Sequence, residues 1–122
     1  MTEIQNKPIY DLEERTFQFA RNVRIWVKSL PKTVSNLEDS KQLIRASGSV
    51  GANYIEANES ISKKDFNFRV KICRKEAKES TYWLRLILET NENLSEIQTC
   101  NNLLQESIEL KKILSAIVVK SI

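Results

Sequence analysis

The sequence predicts an all-α fold, an antiparallel up-down-up-down four-helix bundle, and three observations lead there. Glycine and proline are scarce: Gly48, Gly51, Pro8 and Pro31 are the only ones in 122 residues. Sheets joined by tight turns need these residues, so their scarcity points to long helices. Four apolar stripes follow one another at three-and-four spacing, the period of one helix face. Each has its own start signal, and short connections make the up-down-up-down order the economical topology.

The first helix opens at Asp11 with Glu14 three residues on, a capping-box spacing. Its seam is Leu12, Phe19, Val23, Trp26 and Leu30. Pro31 ends it, because a proline pushes the residue before it out of the helical region. The second helix is expected from Asn36 or Glu38 to about Asn58, with Leu43, Ser47, Val50, Tyr54 and Ala57 on one face. Its middle is a run of small residues, Ala46 to Ala52, that contains both glycines. Each glycine costs a helix about 1 kcal/mol against alanine, so a closely approaching neighbour should compensate. A phosphate-binding loop does not fit, because no Gly-Lys-Ser/Thr follows and no strand precedes.

The third helix starts at Ser62, with Asp65 at its third position. Its seam, Phe66, Val70, Cys73, Ala77, Ser80, Leu84 and Ile87, alternates steps of four and three without a break, as near-parallel bundle packing requires. The fourth is expected to start at Ser95, with Gln98 at capping-box spacing. It carries two stripes: Cys100, Leu103, Ser107, Leu110, Leu114 and Ile117, and beside them Ile97, Leu104, Ile108, Val118 and Ile122. An apolar face this wide belongs to a helix deep between neighbours or one that also meets another subunit. Residues 1–10 read as a flexible N-terminal arm and 11–122 as one domain.

Composition restricts function. The chain has no histidine, which removes the commonest general base and the usual zinc and haem ligands. Inward Glu-x-x-His pairs, the mark of di-iron bundles, are impossible. Glu76 and Glu79, one turn apart, could share a cation or pair with an arginine such as Arg45; the pairing is the plainer expectation. The expectation is therefore a non-enzyme without cofactor or metal. Cys73 and Cys100 have no metal-like spacing and suit a reduced, cytoplasmic chain with both thiols in the core. The first residues show no secretory signal and no run is long enough to span a membrane.

Charge is uneven. Residues 62–90 carry eight Lys/Arg against four Asp/Glu, a local excess greater than the +3 of the whole chain. Lys64, Lys71, Lys75, Lys78 and Arg85 share one face with Phe68 and Tyr82, each two positions from a seam residue. Two residues turn a helix by about 200°, so this stripe points away from the core. Phe17, Arg21, Arg24 and Lys28 repeat the arrangement on the first helix. Cations interleaved with aromatics suit phosphate contact plus base stacking, in RNA or DNA; a solvated lysine face is the plainer alternative. Trp83 lies on another face with Ile72, Glu76, Glu79 and Leu86, covering the bundle's flank or anchoring an interface; with the doubled stripe of the fourth helix it suggests self-association.

Several stretches carry a family resemblance: Leu30-Pro31-Lys32, Gln42 to Ala57, Lys64-Asp65-Phe66 and Lys75 to Leu84. With these the chain resembles the small bacterial four helix bundle proteins, also called 23S rRNA intervening sequence proteins, from about Phe17 to Ser115. The resemblance implies an antiparallel bundle that assembles as a ring, a homopentamer. A related group, the accessory variability determinant proteins of diversity-generating retroelements, forms similar basic pentamers that engage nucleic acid and a reverse transcriptase. No catalytic residue carries over. Arg45, Glu56, Glu76 and Glu79 match signature positions and are expected to fix helix packing or subunit contacts. Two functions follow as expectations: a nucleic-acid-binding oligomer, or a protein-binding scaffold ring with no nucleic-acid role.

Overall fold

The computed structural model describes residues 11–92 and 94–121, without the side chains of Val119 and Ser121. The expected N-terminal arm, residues 1–10, lies outside the described residues, as does Ile122 of the second α4 stripe. Four helices follow in order: α1 (Leu12–Val27), α2 (Val34–Asn58), α3 (Lys63–Thr90) and α4 (Ile97–Ser121). Consecutive helices pack side by side, and α1 meets α4 to close the bundle. No Cα of α1 comes within 8 Å of one in α3, so these two helices are diagonal partners that face each other across the core.

Two caps form where the sequence places them. Asp11 Oδ1 accepts from the Glu14 N–H at 3.1 Å, and Ser62 Oγ accepts from the Asp65 N–H at 3.0 Å. Two starts differ. α2 begins at Val34, ahead of Asn36 and Glu38, because the Thr33 hydroxyl takes the Asn36 N–H at 3.2 Å. α4 begins at Ile97 after a turn over Ser95 and Glu96, and the Glu96 carbonyl accepts the Cys100 N–H. That makes Glu96, not Ser95, the flanking residue. α1 ends a few residues before Pro31, where Lys28, Ser29 and Leu30 donate to carbonyls three residues back, the tightened last turn typical of a helix end.

The core follows the seams. Phe19, Val23, Leu43, Val50, Val70, Leu84, Ile87, Leu110 and Leu114 are all essentially inaccessible. The first stripe of α4 is buried except for Ile117, which is half-buried, whereas the second is graded from buried Val118 to exposed Ile97. Small polar residues fill the bundle's middle: Ser80 Oγ donates to the Glu76 carbonyl, and Thr81 and Ser107 share a 2.7 Å hydroxyl contact across α3 and α4. Gly51 lies where α2 meets α1. A Cβ built there would come within 2.9 Å of Thr16 Oγ1 and 3.2 Å of Thr16 Cβ. Gly48 instead lies under the Arg24 guanidinium.

Both cysteines are free and buried. Desolvation pushes the Cys73 thiol up to about 12 and Cys100 to about 11, so neither holds useful thiolate at neutral pH. Ellman's reagent should therefore label the native protein at its unfolding rate. In denaturant, both thiols should react within the dead time of manual mixing, and prompt labelling of the native chain would contradict this burial. No helix among the described residues is long and apolar enough to cross a membrane.

Candidate nucleic-acid interface

α3 displays its stripe as the spacing requires. Lys64, Lys71, Lys75, Lys78 and Arg85 are all exposed. Phe68 and Tyr82, set between them, keep 58% and 56% of their surface open. The seam residues two positions on, from Val70 to Ile87, are buried, so the helix turns one face inward and the cations outward. The stripe spans 22 residues, Lys64 to Arg85, roughly 32 Å at the helical rise. Among the described residues the ion pairs are Arg15–Glu106, Lys41–Glu38 and Arg45 with Glu76 and Glu79; none engages the stripe. Tyr82 is held edge-on by Trp83, ring centres 5.0 Å apart and planes at 78°. Trp83 itself packs against the core, and its Nε1 is buried without a hydrogen-bond partner among the described residues.

The α1 face is a different object. Arg21, Arg24 and Lys28 are exposed, as is Phe17 at 59%. Arg24, however, reaches back over Gly48 to donate to the Ile44 carbonyl at 3.2 Å and to the Ala20 carbonyl at 3.0 Å. Arg21 donates to Asn22 Oδ1. Because α1 and α3 are diagonal, their outward faces look in opposite directions. The sequence gives two cationic stripes; the fold does not join them into one surface.

The carboxylates resolve as an ion-pair clasp. Arg45 on α2 reaches Glu79 at 2.7 Å and Glu76 at 3.3 Å on α3. Glu76 is the buried member, and Arg45 is half exposed. Glu56 is exposed near the end of α2. Among the described residues, no group of three or more His, Cys, Asp or Glu side chains is placed to hold a metal ion.

Sequence and architecture agree with a known family. The profile of the 23S rRNA-intervening sequence protein family matches residues 10–116. The chain belongs to this family. A crystal structure at 1.70 Å of a protein of unknown function from the S23 ribosomal protein family of Bacteroides thetaiotaomicron VPI-5482 is similar over most of the chain. It is 30% identical with a TM-score of 0.71, and the match covers 87% of this chain and 96% of that one. No curated protein matches.

The chain also has a groove, between α1 and α4, that its sequence marks only faintly. It has a volume of about 1130 Å³. At one end Arg15 grips Glu106 with two hydrogen bonds, 2.7 and 2.8 Å, which together hold the Arg15 guanidinium above its ordinary value. At the other, Trp26 Nε1 donates to the Glu96 carbonyl at 3.2 Å. Arg15 and Glu106 are 91 residues apart, so no local spacing links them. The one available signal was the polar row Gln18 and Asn22 flanking the narrow seam of α1.

Proposed function

We propose that this protein is a non-enzymatic, cytoplasmic, nucleic-acid-binding oligomer that engages the phosphate backbone through the basic face of α3. One observation carries the reading: five exposed cations, none ion-paired among the described residues, alternate with two exposed aromatic rings along a single face. The cations neutralise phosphates and release counterions, and Phe68 and Tyr82 offer platforms for unstacked bases. Arg21 and Lys28 of α1 supply a second, smaller contact on the opposite side of the bundle, while Arg24 is committed mainly to packing. A ring, the homopentamer that the family resemblance implies, would multiply the α3 faces. Cooperative engagement of several faces then gives affinity that one face lacks.

Fluorescence anisotropy with labelled single-stranded RNA and DNA tests this. Five neutralised phosphates give a slope of about −3.5 in log K against log salt, on the order of a 100-fold loss between 50 and 200 mM. Reversing Lys71, Lys75 and Lys78 to glutamate should abolish binding while the circular dichroism spectrum is retained. Absence of binding at low salt would sink the proposal. Light scattering checks the subunit number. A second reading, a protein-binding scaffold, is favoured by the half-exposed second stripe of α4 and by Trp83; there a pulled-down partner should survive the same charge reversals.

A further inference from the structure

The geometry points to the α1–α4 groove as a docking site for a basic amphipathic helix of a partner protein, separate from the α3 face. Hydrogen bonds tie the two helices at the ends of the groove, Arg15 to Glu106 and Trp26 to the Glu96 carbonyl. Between these ties every polar side chain bonds along its own helix. Gln18 donates to Glu14 and Asn22 accepts from Arg21, whereas Asn102 accepts from Gln98 and Thr99 donates to Glu96. No hydrogen bond crosses the seam there among the described residues, so between the ties the two walls meet only through the apolar side chains beneath them.

Shape and charge select the occupant. Both walls run together from Glu96 to Glu106 on α4, ten residues or about 15 Å. A helix about 10 Å across and 15 Å long fills roughly 1,200 Å³, comparable with the 1130 Å³ of the groove. The floor is apolar and almost closed, since Phe19, Trp26 and Leu103 keep only 2–5% of their surface open, and half-exposed Ile25 on the lip is the main apolar surface within reach. The rim is acidic: Asp11, Glu14 and Glu96 form no ion pair among the described residues, and the one cation, Arg15, is spent on Glu106. A small ligand would leave most of this length wet. A neutral or acidic helix would desolvate three carboxylates that have hydrogen-bond donors but no cation beside them. An apolar helix stripe flanked by lysine or arginine satisfies both floor and rim, the helix-in-groove mode.

The test uses the full chain and two synthetic 18-residue peptides with a leucine stripe at helical spacing, one flanked by lysine and one by glutamate. The protein has two tryptophans, so Trp83→Phe leaves Trp26 on the groove floor as the reporter. The lysine peptide should give a saturable, one-to-one shift in Trp26 emission, and the glutamate peptide none. Anisotropy of the labelled lysine peptide on the unaltered protein repeats the measurement should Trp83→Phe fold poorly. Glu14→Lys with Glu96→Lys should weaken binding at least tenfold with an unchanged circular dichroism spectrum. Four results would overturn the assignment: no saturable binding, equal binding of both peptides, undiminished binding by the rim variant, or loss of subunits in light scattering as peptide is added. The last would mean that the groove holds a second copy of the chain. Loss of nucleic-acid binding in the α3 charge reversals leaves this result untouched, so the two readings fail separately.

Discussion

Gly51→Leu should destabilise the bundle by about 3 kcal/mol or more, at the upper end of overpacking costs. The position lies inside α2 against α1, and even a Cβ there meets Thr16 Oγ1 at 2.9 Å and Thr16 Cβ at 3.2 Å. Thr16 cannot swing aside cheaply. It is buried, and its hydroxyl already bonds the Leu12 and Glu13 carbonyls at 2.9 and 3.0 Å. The backbone of α1 stands directly behind it, with the Thr16 carbonyl carbon 3.6 Å from the same point. Relief therefore requires the two helices to move apart, which opens the core on both sides of the contact. Gly48→Ala is the internal control, since its nearest atom is the terminal nitrogen of Arg24, the end of a long side chain. That nitrogen can yield, so the helix propensity of alanine should leave Gly48→Ala neutral or up to about 1 kcal/mol more stable. Urea unfolding of both variants gives the comparison. Thr16→Gly combined with Gly51→Ala should cost less than the sum of the two single changes, as expected of residues in direct contact. Equal tolerance at positions 48 and 51 would refute the close approach.

Asn36→Leu should cost about 2–3 kcal/mol, although leucine is close in volume and a good helix former. Asn36 is 2% exposed, and its amide is fully used. Its Nδ2 donates to the Pro31 carbonyl at 2.9 Å and to Asn91 Oδ1 at 2.8 Å, while its Oδ1 accepts from Asn91 Nδ2 at 2.8 Å. Asn91 in turn donates to the Ile87 carbonyl. This reciprocal amide pair joins the α1–α2 connection, the first turn of α2 and the end of α3. Leucine would leave the Asn91 amide and the Pro31 carbonyl unsatisfied, and such a penalty is about 1–3 kcal/mol for each stranded group. Asn36→Leu with Asn91→Leu should be milder than additive, because the second change removes the group stranded by the first. The readout is again the urea midpoint, and an additive pair would mean that the two amides are not coupled.

The two asparagines mark where sequence reasoning stops. Asn36 stood as a possible helix start, since an exposed polar side chain before an apolar run is the usual cap. Thr33 performs that role, and Asn36 turns inward to a partner 55 residues away. No pattern local to residues 33–38 separates these outcomes. The one-residue shift at α4 has a similar origin, since Ser95 and Glu96 both precede the stripe and only the turn decides which carbonyl opens the helix. By contrast the seam of α3 was legible to the residue: six of its seven positions are buried and Phe66 is half-buried. The Arg45 clasp was legible as well, because Glu76 and Glu79 project one turn apart beside that seam and a buried carboxylate needs a cation.

The cationic stripes show the same division at the scale of the candidate sites. Spacing alone put Lys64, Lys71, Lys75, Lys78 and Arg85 on the outside of α3, because the 3.6-residue period ties each to a seam residue. The same rule put Arg21, Arg24 and Lys28 outside on α1. It could not tell that the two faces look in opposite directions, or that Arg24 is drawn back over Gly48. Those facts depend on which helices are diagonal and how closely α1 approaches α2.

The groove is the fullest case. Its floor residues Phe19, Trp26 and Leu103 read as ordinary core, and Asp11 and Glu14 on its rim as an ordinary capping box. By itself the sequence determined four helices, the inward face of each, two of the caps and an outward basic stripe, because all of these repeat within a few turns of one helix. Tertiary structure alone decided the glycine contact at Thr16, the Asn36–Asn91 pair, the opposed basic faces and the open α1–α4 seam. Each of these is a distance between side chains far apart in the chain, fixed only when four faces must share one core.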